Sequence, residues 1–209
     1  NELFSTNIEG TANLVNASIE KKIRRFVHVS SVSVFGKRTQ PVVVNESQQW
    51  EDNKLNTSYA ISKYQAEMEV WRGIGEGLNA IIVNPSTIVG YGDWNSSSCA
   101  LFKNVYHNFP WYTNGSNGFV DVEDVSAAMI QLLPHNIQSE RFILNGVNWT
   151  YRKLLDTIAD GFGKKHPSRE ATPFMAGLAW RTESVKSWIT GKRSLLTSES
   201  ARAAQSRTE

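Results

Sequence analysis

Two short apolar runs, each breaking into small polar residues, frame this chain. Phe26-Val27-His28-Val29 runs into Ser30-Ser31, and Ala80-Ile81-Ile82-Val83 runs into Asn84-Pro85-Ser86-Thr87-Ile88. Neither run alternates apolar with polar, the pattern of strands buried on both faces of a parallel sheet. The carboxyl ends of such strands are where open α/β sheets place their ligands. We therefore expect buried strands over 26–30 and 80–84. Between them, Tyr59 to Trp71 consists mostly of good helix formers, with Thr57 or Ser58 as N-cap and no glycine before Gly73. That predicts a helix over 57–72 and makes the segment a strand-helix-strand unit, with the right-handed crossover of parallel strands.

Ahead of this unit, Leu3, Phe4, Ile8, Ala12, Val15 and Ile19 fall near helical spacing and Lys21-Lys22 supply a cationic last turn, so an amphipathic helix is expected over 3–20. Gly10 within it costs about 1 kcal/mol relative to Ala, which calls for a packing or contact reason. Behind it come a turn-rich aromatic stretch at 91–98, a helix near 99–107, a strand near 118–122, a helix near 123–133, a strand near 141–144 and a helix over 151–162. Thr150 caps that last helix and Gly163 stops it. The loop from Gly36 to Asn56 carries Pro41, Glu46, Glu51 and Asp52, and long ordered loops are often functional. Phe174, Met175, Leu178, Trp180, Val185, Trp188 and Ile189 predict an apolar helical tail, read as a cover for a substrate pocket rather than a membrane contact.

Composition removes several function classes. The 209 residues contain no transmembrane run and no signal peptide, and the start Asn1-Glu2-Leu3, without Met, reads as a missing beginning. A single cysteine, Cys99, excludes an internal disulfide framework and a cysteine metal site and suits a reducing cytosol. The net charge of +2 is too small to argue for nucleic acid. None of the four histidines joins a metal set, and His28 reads as a satisfied structural histidine. The seven tryptophans fit either pocket lining or ordinary packing.

Chemistry concentrates at Tyr59 and Lys63. Four residues apart on a helix, they share one face, and the Lys63 cation favours the Tyr59 phenolate, drawing its pKa from about 10 towards the neutral range. That is a general acid/base.

Several motifs now stand in order: Asn7-Ile8-Glu9-Gly10-Thr11-Ala12-Asn13-Leu14, Val29-Ser30-Ser31, Tyr59-x-x-x-Lys63, Asn84-Pro85-Ser86, and Gly118-Phe119-Val120-Asp121-Val122-Glu123-Asp124-Val125. Together they resemble the extended short-chain dehydrogenase/reductases, the superfamily of nucleotide-sugar epimerases and dehydratases and of dihydroflavonol-reductase-like enzymes. The resemblance implies that Ser31 holds the substrate oxygen, that Tyr59 moves the proton, and that Lys63 lowers the tyrosine pKa while bonding the nicotinamide ribose. It further implies that Val29, Ser30, Tyr59, Lys63, Pro85, Ser86, Thr87 and Ile88 bind NAD or NADP. By the same resemblance Asn7 lies near the cofactor, Gly10-Thr11 lets its helix approach its neighbours, and Asp124 is a residue of a helix N-terminus. The implied partners are a small-molecule substrate and a second copy of the chain, joined through helices 3–20 and 57–72, with neither nucleic acid nor membrane involved.

The implied fold is α/β, a Rossmann-like doubly wound parallel sheet whose amino-terminal strands are missing, with a small mixed α/β substrate-binding lobe. Residues 1–90 would form the carboxyl-side half of the Rossmann domain and 91–209 mostly the lobe, with segments near 118–133 returning to the Rossmann domain. No Gly-x-Gly-x-x-Gly follows a strand, and Gly73, Gly75 and Gly77 lie at a helix end before a strand. About three strand-helix units of ~30 residues are then absent, together with the residue that chooses NAD or NADP. Such a piece is expected to be inactive alone and to bind NAD(P) weakly. The implied activity is an NAD(P)-dependent oxidoreductase acting on a ketone or aldehyde, in the cytoplasm. The Asn84-Pro85-Ser86-Thr87-Ile88-Val89-Gly90 segment lacks the Tyr-Gly-Pro-Arg ending frequent in nucleotide-sugar enzymes, which favours that choice. A nucleotide-sugar epimerase or dehydratase, or a catalytically silent dinucleotide sensor, are the alternatives.

Overall fold

A computed structural model of the chain describes residues 2–38, 43–95 and 98–172. The expected apolar tail from Phe174 to Ile189 lies outside the described residues, as does Pro41.

The fold is Rossmann-like α/β. Its central strand, Ala80–Pro85, pairs in parallel with Phe26–Val29 on one side and Glu140–Leu144 on the other. Phe26 stands opposite Ala80, Val29 opposite Val83, and Pro85 opposite Leu144. All six residues of Ala80–Pro85 are buried, as a β-branched run covered on both faces demands. The expectation of a buried strand fails for its neighbour. Phe26, Val27 and His28 are only half-buried and Val29 is exposed, because this strand is the edge of the three-stranded sheet.

Helix Ser58–Gly75 follows the expected N-cap chemistry, with the Thr57 hydroxyl accepting from the Ala60 amide at 3.1 Å. The amino-terminal segment is less regular than its periodicity implies: a turn at Glu2–Phe4 and a π-helical turn at Ser5–Glu9 lead into the α-helix Gly10–Glu20. Val15, Val70, Leu78, Ala80 and Ile82 form one buried cluster, flanked by Ile19, Phe26, Trp71 and Ile74, so both helices pack on the same face of the sheet. Removing side chains of this size from water contributes roughly 1.5–3 kcal/mol each, enough to fix the helices on the strands. Ile81 and Val83, which alternate with Ala80 and Ile82, point to the opposite face, and helix Val122–Leu132 packs against this strand.

The close helix approach expected at Gly10 is found elsewhere. A Cβ at Gly10 meets nothing within 4 Å, whereas one at Gly73 would sit 2.5 Å from Val15 Cγ1. The crossing of the two helices therefore requires glycine at 73 and tolerates a side chain at 10.

The chain divides into two compact units. The first comprises residues up to Ile88 and Phe119–Gly146, and contains the parallel sheet and its helices. Within it Asp121 caps helix Val122–Leu132 by accepting from the Glu123 amide at 2.8 Å, with Asp124 in the first turn. The second comprises Val89–Gly118 and the described residues from Val147 onwards. There helix Cys99–Tyr106 packs on helix Tyr151–Phe162, which Thr150 caps and which Gly163 ends in the left-handed conformation (φ +62°). Trp94, Tyr106 and Phe162 meet edge to face. The five described tryptophans are all engaged in local contacts: Trp50 stacks on Tyr64, Trp71 bonds Glu67, Trp94 joins this ring cluster, and Trp111 and Trp149 lie under Arg169 and Lys153. No helix among the described residues is long and apolar enough to cross a membrane.

Candidate active site

The carboxyl end of strand Phe26–Val29 delivers Ser30 and Ser31. Ser30 continues the ladder through its amide, which donates to the Val83 carbonyl at 2.8 Å, and its side chain is buried. Ser31 turns out of the sheet and caps the short 3-10 helix Val32–Phe35, its Oγ accepting from the Ser33 amide at 3.2 Å. That bond uses a lone pair and leaves the Ser31 O–H free to donate. Helix Ser58–Gly75 packs directly on this 3-10 turn, so Ser31 and the amino end of the helix belong to one local assembly.

Tyr59 sits in the first turn of that helix, 46% exposed, one turn before Lys63. The Lys63 ammonium donates to the Val29 carbonyl at 3.0 Å, the last residue of the strand that leads to Ser31. Burial lowers the Lys63 pKa below the usual lysine range, and the nearby Glu67 carboxylate acts in the opposite direction. Asn7, in the π-helical turn, donates to Ser62 Oγ at 3.0 Å, and Ser62 Oγ donates to the Tyr59 carbonyl at 2.9 Å. Its amide nitrogen thus ties the amino-terminal helix to the helix of Tyr59.

The remaining expected cofactor residues continue from the central strand. Pro85 is buried in the sheet, and the Ser86 amide donates to the Leu144 carbonyl at 3.0 Å. Ser86 Oγ is buried without a partner, as are Ser33 Oγ and Asn84 Oδ1. Thr87 and Ile88 are half-buried at the start of the next strand. Ser30 differs in kind from the others: its hydroxyl is committed to the buried Glu67 carboxylate at 2.6 Å.

Two groups escaped the sequence reading. Glu67 is fully buried, accepting from Ser30 Oγ, Asn84 Nδ2 (2.8 Å) and Trp71 Nε1 (3.2 Å), and pairing with Arg141 Nη1 at 3.2 Å. An isolated carboxylate could not remain charged there; four donors and an opposite charge offset its desolvation. The signal was present, because Glu67 falls on the buried stripe of its helix with Ala60, Ala66, Val70 and Gly73. Arg141 was unreadable, since its partners lie 74 and 93–95 residues away in the chain. It lies over the Phe35 ring at 4.5 Å and donates to the Glu46 and Gln48 carbonyls, which straps the long loop to the sheet.

His28 corrects another expectation. Its Nε2 is buried with no partner, so it is not a satisfied histidine. Burial first, and the Lys63 charge second, lower its pKa to about 4, so the ring is neutral. Among the described residues no group of His, Cys, Asp or Glu is arranged to hold a metal.

Residues 1–145 match the model of the NAD dependent epimerase/dehydratase family. The chain belongs to that family. Among its relatives are tetraketide alpha-pyrone reductase 2 of Arabidopsis thaliana, 32% identical over 168 residues (74% of this chain, 52% of the relative), and sterol demethylase protein B of Methylococcus capsulatus, 28% identical over 181 residues (85% and 55%). The crystal structure of dTDP-glucose 4,6-dehydratase from Bacillus anthracis in complex with NAD has the same fold, with a TM-score of 0.69 at 19% identity, over 80% of this chain and 55% of that one. The chain spans about half the length of the curated relatives it matches.

The family is NAD dependent, so a nicotinamide dinucleotide is the cofactor against which the site is to be tested. The residues present fit one. Lys63 spends one of three N–H donors on Val29, and Ser86 Oγ is a buried hydroxyl with no partner at the end of the central strand.

Proposed function

We propose that this chain carries the catalytic residues of an NAD(P)-dependent oxidoreductase that reduces a ketone or aldehyde, or oxidises the matching alcohol. One observation carries the reading: Tyr59 and Lys63 share a helix face beside Ser31, and the Lys63 ammonium is pinned to the strand that leads to it. Bound nicotinamide supplies or takes up the hydride. The exposed Tyr59 hydroxyl gives the substrate oxygen its proton in reduction and accepts it in oxidation. Ser31 Oγ–H donates to the same oxygen, where negative charge develops. Lys63, with N–H donors beyond the one given to Val29, bonds the ribose of the cofactor. Val29, Pro85, Ser86, Thr87 and Ile88 line the nicotinamide end, with Ser30 reaching it through its backbone. Reductases among the relatives support a carbonyl substrate.

In this reading the second compact unit is the substrate lobe, the substrate is a small molecule, and the protein works in the cytoplasm. A homodimer forms through helices Gly10–Glu20 and Ser58–Gly75, which keep Leu14 and Met68 exposed.

Turnover of aromatic and aliphatic ketones and aldehydes with NADH or NADPH, followed by absorbance in the full-length protein, tests the assignment. Tyr59→Phe should abolish reduction while nicotinamide affinity stays nearly unchanged. Wild-type turnover in that variant would reject the role of Tyr59, whereas nicotinamide binding by the intact protein without turnover of any of these substrates would favour a dinucleotide sensor.

A further inference from the structure

We infer that Glu67 is a positioning residue for Ser31, acting through Asn84. The inference rests on the reading that Ser31 binds the substrate oxygen. The Ser30 hydroxyl and the Asn84 side-chain amide both donate to Glu67 Oε2, at 2.6 and 2.8 Å, and the same Asn84 nitrogen is 3.3 Å from the Ser31 carbonyl. One carboxylate oxygen thereby ties together the ends of two neighbouring parallel strands, just beyond the last rung of their ladder at Ser30 and Val83. The chain leaves the sheet at Ser31, so the direction of its side chain depends on where its carbonyl is held.

The donor pattern explains why a carboxylate is needed. Trp71 Nε1 and Arg141 Nη1 donate to Oε1, each at 3.2 Å, so all four partners are donors and every acceptor site of the group is filled. A glutamine would turn its own NH2 towards one of the two donor pairs. An aspartate is one methylene short of both strands. With its lone pairs filled and no exposure to solvent, Glu67 is no acid or base for the reaction. Buried ion pairs are also weak sources of stability, since an apolar set of similar volume often does as well, and retention of charge points to a geometric role. Arg141 extends that role, because its other nitrogens hold the Glu46 and Gln48 carbonyls of the loop that leads from Ser31 to the helix of Tyr59.

The test is solution NMR of the isotopically labelled full-length protein, reading the Ser31 carbonyl carbon and the Asn84 side-chain amide, alongside turnover of the same carbonyl panel. In Glu67→Gln both signals should move, and kcat should fall roughly tenfold to a hundredfold with the KM for the nicotinamide unchanged, as expected when a reacting group is slightly misplaced. Asn84→Ser leaves the Glu67–Arg141 pair intact, so it carries the same measurement if Glu67→Gln does not fold; its Ser31 carbonyl signal should shift likewise. A lowered melting temperature with an unmoved Ser31 signal would make Glu67 merely structural and overturn the inference. So would a moved signal with unchanged kcat in a protein that loses activity on Ser31→Ala. If Ser31→Ala keeps full activity, the reading of Ser31 fails by itself, and the NMR signals still decide whether Glu67 positions it.

Discussion

Lys63 Nζ donates to the carbonyl of Val29 at 3.0 Å, across 34 residues of chain, and so joins the helix of Tyr59 to the strand that ends in Ser31. Lys63→Met removes this bond and the ribose donor together. Nicotinamide affinity and turnover should both fall, in contrast to Tyr59→Phe, where turnover alone falls. Calorimetric titration with NADH and NADPH separates the two patterns; unchanged affinity in Lys63→Met would place the ribose elsewhere.

The lysine is also a probe of its neighbour. Burial lowers the Lys63 pKa and the Glu67 charge opposes that shift. Removing the charge in Glu67→Gln should therefore move the Lys63 titration to still lower pH. Carbon-13 NMR of the reductively methylated protein reads this directly, and an unmoved Lys63 titration would show that the carboxylate is screened from it.

Ser31→Ala leaves the helix and its lysine untouched and deletes one donor to the substrate oxygen. A loss of about 10²–10³ in kcat is typical of such donors. A change confined to KM would mean that Ser31 binds substrate and transition state equally.

His28 should make the protein acid-sensitive. Its folded pKa lies near 4, below the ordinary 6.5. Between these values the unfolded chain binds the proton and the folded chain does not, so stability is complete above pH 6.5 and declines as pH falls towards 4. The full decline is on the order of 3 kcal/mol. Urea unfolding across this range should show His28→Val with a flatter pH dependence than wild type; an equal slope would assign the acid sensitivity to other groups.

At the helix crossing, Gly73→Ala should destabilise by roughly 1–3 kcal/mol through its clash with Val15, despite the gain of about 1 kcal/mol in helix propensity. Combining it with Val15→Ala should recover part of that loss in thermal unfolding. Gly10→Ala, facing open space, should be neutral or stabilising.

The sequence by itself determined the elements whose reasons are local. A cap at Thr57 or Ser58, which the structure assigns to Thr57, the cap at Thr150, Gly163 as a stop and the Tyr59–Lys63 face follow from residue type and spacing within a few turns of chain, and the strand-helix-strand order adds that 26–29 and 80–83 run parallel. The resemblance added the family, which residues 1–145 bear out. The tertiary structure alone decided which polar groups are paired. Burial of Glu67 is legible as a charge on an apolar stripe, but its donors come from Ser30, Asn84 and Arg141, on three different strands or strand ends. Likewise, the choice of Gly73 over Gly10 depends on where Val15 of another helix lands, and the unpartnered Nε2 of His28 on what surrounds an edge strand. Spacing along a chain specifies which side chains share a face; only the packing of separate elements specifies what that face meets.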